Sequence, residues 1–176
     1  MNRILIAFIV LCLTMVVSAG GCISSSSNSI KDVLFYWHSI NSFTAHETIK
    51  IGNQTFESYV NFTKPDKITR EDYINSSMVQ KIIIEKGIQK VVTSNGTFVL
   101  NATIEDVNAL DPFASILNNL DSFNVTKKGN TLLLRPKTPG LPTYEIQLDG
   151  KLPDRITIKQ DGLVIVVEYK KIRVKT

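Results

Sequence analysis

Tyr144-Glu145-Ile146-Gln147-Leu148-Asp149-Gly150-Lys151-Leu152-Pro153-Asp154-Arg155-Ile156-Thr157-Ile158-Lys159-Gln160-Asp161-Gly162 alternates apolar and polar residues and is broken twice by Asp-Gly. Tyr144, Ile146 and Leu148 share one face, opposed by Glu145, Gln147 and Asp149. Ile156 and Ile158 likewise oppose Thr157 and Lys159. A period of two marks a half-buried strand, because successive side chains leave opposite faces. Asp-Gly tolerates the positive φ of tight hairpin turns. The stretch therefore reads as antiparallel strands joined by hairpins.

The same pattern extends outward. Further turn signals stand at Gly52-Asn53, Pro65-Asp66, Lys86-Gly87, Asn95-Gly96 and Gly129-Asn130. Phe56, Val60 and Phe62 oppose Glu57, Tyr59 and Asn61. Phe98, Leu100, Ala102 and Ile104 oppose Val99, Asn101 and Thr103, which predicts a strand running to Ile104. Two segments break the pattern. Ile30, Val33, Leu34, Trp37 and Ile40 or Asn41 recur at helical spacing, behind a Ser29/Asp32 capping box. Asp111-Pro112 supplies an N-cap and a first-turn proline for a second helix with Phe113, Ile116, Leu117 and Leu120 as its stripe. The predicted order is helix, about six strands, helix, about five strands. This is an α+β chain whose sheet of about 10–11 strands must curl.

A curled sheet has a concave apolar face that a helix must plug or a ligand must fill. The predicted cavity lining is Phe56, Val60, Phe62, Phe98, Leu100, Tyr144, Ile146 and Leu148 from the sheet. Phe113, Ile116, Leu117 and Leu120 line it from the second helix, which is too short to cover so much apolar surface.

The chain has 176 residues, 43% hydrophobic and 20% charged, with net charge +4, two Cys and two His. That length fits one domain. Two cysteines build neither a disulfide scaffold nor a four-thiolate zinc site. No metal site, no cofactor and no nucleic-acid stripe are expected.

Residues 1–21 read as a signal peptide. Met1-Asn2-Arg3 is a positive start, and the apolar run from Ile4 to Val17 is too short to span a bilayer, which takes about 20 residues. It ends in Ser18-Ala19-Gly20-Gly21-Cys22, which looks like a lipoprotein signal with Cys22 as the lipidated residue. Residues 22–29 form a Ser-rich tether, and 30–176 the folded body. Six sequons begin at Asn53, Asn61, Asn75, Asn95, Asn101 and Asn124, and are candidate glycosylation sites. Asn61 and Asn101 fall on polar strand faces. Signal, tether and sequons predict an exported protein, lipid-anchored (as by palmitate) on the extracytoplasmic side of the cell membrane, in the manner of an archaeal surface glycoprotein.

The layout resembles the lipoprotein-carrier superfamily of LolA and LolB, with the mycobacterial LppX-type lipoproteins and the N-terminal domain of RseB. The residues that carry it are Ile40-Asn41-Ser42-Phe43 closing the first helix, Phe62-Thr63-Lys64-Pro65-Asp66-Lys67, the helix from Asp111 to Leu120, Leu132-Leu133-Leu134-Arg135-Pro136, and Leu152 to Ile158 leading to Asp161-Gly162. The resemblance implies an incomplete β-barrel over a hydrophobic cavity, lidded by helices and holding acyl or isoprenoid chains. It implies a lipid or another envelope lipoprotein as partner. The anchor brings the chain nearer to LolB and LppX than to the soluble carrier.

Two functions follow as expectations: a lipid or lipoprotein binder, or a structural or sensory surface protein with a packed core. No Gly-x-Ser-x-Gly elbow supports a hydrolase. His38 lies off the apolar stripe of its helix and His46 on a polar strand face, so no enzyme activity is expected.

Overall fold

The computed structural model describes residues 29–160 and 162–176. The predicted signal peptide, Cys22, the predicted tether up to residue 28, and Asp161 lie outside the described residues.

The chain begins with α1 (Ile30–Ser39) and continues through β1 (Ser42–Ile51), β2 (Gln54–Thr63), β3 (Lys67–Ile74), β4 (Ser77–Glu85), β5 (Ile88–Thr93) and β6 (Gly96–Asn101). Two helices follow, α2 (Ile104–Leu110) and α3 (Pro112–Asn119), with a 3-10 turn over Leu120–Ser122. Then come β7 (Phe123–Lys128), β8 (Thr131–Pro136), β9 (Thr143–Asp149), β10 (Leu152–Gln160) and β11 (Leu163–Lys175). All 11 strands form one antiparallel sheet in the order β6-β5-β4-β3-β2-β1-β11-β10-β9-β8-β7. The sheet is an incomplete barrel: β1 and β11 pair at its middle, and β6 and β7 are left as its edges.

Local chemistry sets the helix starts. Ser29 accepts the Asp32 N–H at 3.1 Å, and the Asp32 carboxylate accepts the Ser29 N–H at 3.1 Å. This satisfies donors that a helix start otherwise leaves open. Asp111 caps α3 by accepting the Ala114 N–H at 2.7 Å, with Pro112 in the first turn.

The strand predicted to reach Ile104 stops at Asn101 instead. Thr103 donates its N–H to Asp106 Oδ2 at 2.7 Å, and this second capping box turns the chain into α2. A further hairpin, not read from the sequence, turns at Asn75 and Ser76, both with positive φ (50° and 64°). These are the values of a tight hairpin turn that Asn tolerates.

The core lies between the concave face and α1 and α3. Phe113 on α3 is its hub, with ring centroids 5.3 Å from Trp37 and from Phe43 and 6.5 Å from Tyr169. Trp37 is fully buried and donates its indole N–H to the Lys151 carbonyl at 2.6 Å. The core runs from Val33 to Tyr169, so the body from Ser29 onward has its own core and folds as a unit.

The sheet has two distinct ends. One carries the turns at 65–66, 86–87, 129–130 and 150–151; the other carries those at 52–53, 75–76 and 94–95 and the 140–142 loop. Helix α3 runs from the middle of the concavity toward the first end and fills that half. The half toward the second end is left for the cavity.

Candidate functional site

The cavity has a volume of about 500 Å3, within the range of roughly 300–1,000 Å3 typical of small-ligand clefts. Ile49 and Ile51 of β1, Phe56 of β2, Tyr144 of β9, Ile158 of β10, and Ile165 and Val167 of β11 form its wall. Ala109 and Leu110 of α2, Pro112 and Ser115 of α3, and Gly140, Leu141 and Pro142 of the β8–β9 loop close over it. Arg70, Glu105, Asn108 and Gln160 supply its few polar groups. The wall arises from strand alternation: Ile49 and Ile51, and Ile165 and Val167, sit two residues apart and so point to the same face.

The predicted lining residues divide into three groups. Phe56 and Tyr144 do line the cavity. Val60, Phe62, Phe113, Ile116, Leu117, Leu120, Ile146 and Leu148 are buried in the core, against one another rather than against the void. Phe98 and Leu100 are not part of its lining: they lie on the edge strand β6 and are 54% and 57% exposed. Among the described residues no helix packs on that edge, because α2 turns inward over β3. The six sequon asparagines are all exposed, with Asn61 and Asn101 on the outer face.

Above the cavity lies a polar cluster that the hydrophobic pattern did not reveal. Glu47 follows Phe43 and Ala45 on the inward face of β1, is fully buried and has no donor within hydrogen-bond reach of either oxygen. Asp111, 1% exposed, faces it from the start of α3 and accepts the Tyr169 hydroxyl at 3.3 Å. Burial, then the Asp111 charge, pushes the Glu47 carboxyl well above its ordinary range. Burial also raises Asp111, against the pull of the Ala114 N–H. Two facing carboxyls in a dry interior satisfy each other only when one keeps a proton.

Beside this pair, Arg70 donates Nε–H to Asp72 at 2.7 Å and a terminal N–H to the Leu110 carbonyl at the end of α2. Asp72 also accepts from the Ser58 hydroxyl and from Gln80 at 2.6 Å. Arg70 further stands over the Phe56 ring at 5.7 Å. It ties the helical cover to the sheet at the cavity wall. Ser115 and Tyr144 share a hydrogen bond at 3.1 Å, which leaves a neutral hydroxyl pair on the other wall. The signal for Glu47 was available: an acid in the inward register between Ala45 and Ile49.

The histidines lie away from the cavity. His38 is 3.5 Å from Asp121, and His46 stacks on Tyr59 at 4.3 Å and stands 3.4 Å from Glu57. Glu168 pairs with Lys50 at 2.9 Å and with Arg155 on the outer face. Among the described residues no group of three or more metal-ligating side chains could hold an ion, and no helix is long and apolar enough to cross a membrane.

No family model and no curated protein matches the chain. Among solved structures it is similar to a chain of the MucA/MucB complex of Pseudomonas aeruginosa, at 12% identity and a TM-score of 0.48, covering 83% of this chain and 56% of that one. It is similar to LprF from Mycobacterium bovis at 10% identity and a TM-score of 0.42, covering 81% and 90%. The lipoprotein LppX of Mycobacterium tuberculosis matches at 12% identity and a TM-score of 0.41, covering 82% and 96%. The chain thus spans just over half the length of the MucA/MucB-complex chain it matches.

Proposed function

We propose that this chain is an extracytoplasmic lipoprotein that holds the apolar chain of a lipid, or of a lipid-modified protein, between the half-barrel and its helical cover, as a carrier or receptor and not as an enzyme. The observation that carries this reading is the apolar cavity of about 500 Å3 under α2, α3 and the 140–142 loop. An alkyl chain leaving water gains about 0.8 kcal/mol per buried CH2. Such binding needs shape and apolar walls rather than polar catalysts. The anchor at Cys22, glycans on the sequons and an archaeal cell-surface setting belong to the same reading and rest on the sequence.

A second reading is favoured by the residues that proved to be core. Phe62, Phe113, Ile116 and Ile146 are packed core rather than cavity wall, as in a structural or sensory surface protein whose partner is another envelope protein.

Titration of the purified body with a fluorescent long-chain fatty acid tests the first reading. Saturable uptake, competed by unlabelled fatty acid and lost in Ile158→Trp, supports it; no uptake by folded protein favours the second. Cys22→Ser tests the anchor: the protein should leave the membrane fraction or accumulate as precursor, and unchanged fractionation and migration would contradict it.

A further inference from the structure

The two edges of the sheet are guarded differently. Strand β7 carries Lys127 and Lys128 at its end and has α1 packed beside it, devices that discourage strand addition. Strand β6, Gly96-Thr97-Phe98-Val99-Leu100-Asn101, has no charge and no proline, and all of its residues are exposed. Phe98, Val99 and Leu100 are 54%, 64% and 57% exposed, on both faces of the strand.

The direction of its free backbone groups is fixed. Ala102 donates its N–H to the Gly87 carbonyl at 2.9 Å, into the sheet. Alternate residues of a strand aim their N–H and C=O to the same side. Those of Leu100 and Phe98 therefore also point into the sheet, toward Gln89 and Val91, their partners in β5. Those of Thr97, Val99 and Asn101 point away from it, with no strand beyond them among the described residues.

We propose that this edge pairs antiparallel with β6 of a second copy of the chain, about a two-fold axis at Val99. The register is self-complementary. Val99 faces Val99 of the partner subunit as a hydrogen-bonded pair, and Thr97 faces Asn101 of the partner subunit in the next such pair. Phe98 then lies beside Leu100 of the partner subunit on the concave side, which covers the apolar side chains that no helix reaches. A two-fold contact requires one surface to match itself, and an uncharged strip does so where an edge bearing lysines would repel its copy. The two sheets join into one, and no residue of β6 belongs to the cavity lining. The inference is independent of what the cavity holds.

The test uses residues 29–176, which contain the whole core and no cysteine, made without glycans so that the mass read is that of the polypeptide alone. Light scattering across a dilution series should give twice the monomer mass at high concentration. Val99→Lys sets two like charges face to face and should yield a monomer at the same concentrations, with an unchanged circular dichroism spectrum and the melting temperature of wild type diluted to its monomer. Val99→Cys should cross-link the dimer on mild oxidation. Phe98→Cys should not, because the proposed register leaves its two copies about 8 Å apart, beyond the roughly 7 Å limit for a disulfide. A monomer at every concentration would overturn the proposal and leave β6 to a strand of a different protein. So would a dimer that survives Val99→Lys, or one that cross-links through Phe98→Cys and not through Val99→Cys.

Discussion

Glu47 and Asp111 face each other across the junction of β1 with the start of α3, 0% and 1% exposed, with Tyr169 donating to the Asp111 carboxyl. Arg70 is the cation that acts on both, from β3. The pair sits where α3 leaves the sheet and the cavity begins, so its protonation bears on how firmly the helical cover is seated.

Both folded-state pKa values are raised, chiefly by burial. The folded state therefore holds a proton that the unfolded chain releases above the ordinary carboxylate pKa of about 4. Stability from this pair is full below that pH and falls as pH rises toward the folded-state values. Each unit of upward shift corresponds to about 1.4 kcal/mol lost by alkaline pH. Glu47→Gln keeps the shape and supplies a permanent donor to Asp111. Its urea-unfolding free energy should match wild type near pH 4 and exceed it increasingly toward pH 8. A constant difference across that range would show that Glu47 carries no extra proton.

Removing Arg70 should cost far more than a surface charge. Its side chain and that of Asp72 are 13% and 3% exposed, and breaking a buried pair by losing one partner costs about 3–5 kcal/mol. Arg70→Met should show a loss of that order in chemical denaturation. Arg70→Lys should recover only part of it, because one ammonium cannot replace the forked guanidinium that reaches both Asp72 and the Leu110 carbonyl.

Ile158 and Leu117 should separate cavity from core. Ile158 lines the void, so Ile158→Trp should fill it, abolish fatty-acid uptake and shift stability little. Leu117, read from sequence as a lid residue facing the void, is 5% exposed in the core. Leu117→Trp should therefore destabilise by about 1–3 kcal/mol through overpacking. Melting curves and uptake measured on both variants decide it; equal tolerance at the two positions would contradict the boundary drawn here.

The indole of Trp37 joins α1, α3 and the β9–β10 turn. Trp37→Phe should lose its bond to the Lys151 carbonyl and leave space beside Phe113, for a loss of about 1–3 kcal/mol in thermal or urea unfolding. A change within experimental error would show that α1 is not held through this contact.

Much of this architecture was legible because short-range chemistry specified it. The Ser29/Asp32 box and Asp111-Pro112 placed two helices, and alternation around Asp149-Gly150 placed the closing strands. Helix α2 was missed because Phe98, Leu100, Ala102 and Ile104 keep period two past the point where Thr103 and Asp106 form a capping box. There, local capping outweighs the apolar alternation. Phe98 and Leu100 show the limit of the same signal. Alternation tells which face a residue takes, but not how far along the sheet the covering helices reach. The cavity wall depends on that longer-range fact, which is why Ile49, Ile158 and Val167 were not singled out while Phe62 and Ile116 were. Glu47 stands out as an acid in the inward register of β1, but it takes its meaning only from Asp111, 64 positions along the chain.

Mass spectrometry of molecules extracted from the purified 29–176 body, set beside the same extract from Ile158→Trp, decides whether the cavity holds an apolar chain. A long-chain alkyl or isoprenoid compound should be recovered in near-stoichiometric amount from wild type and be absent from the variant. Folded wild-type protein that yields no such compound and takes up no fatty acid would contradict lipid binding.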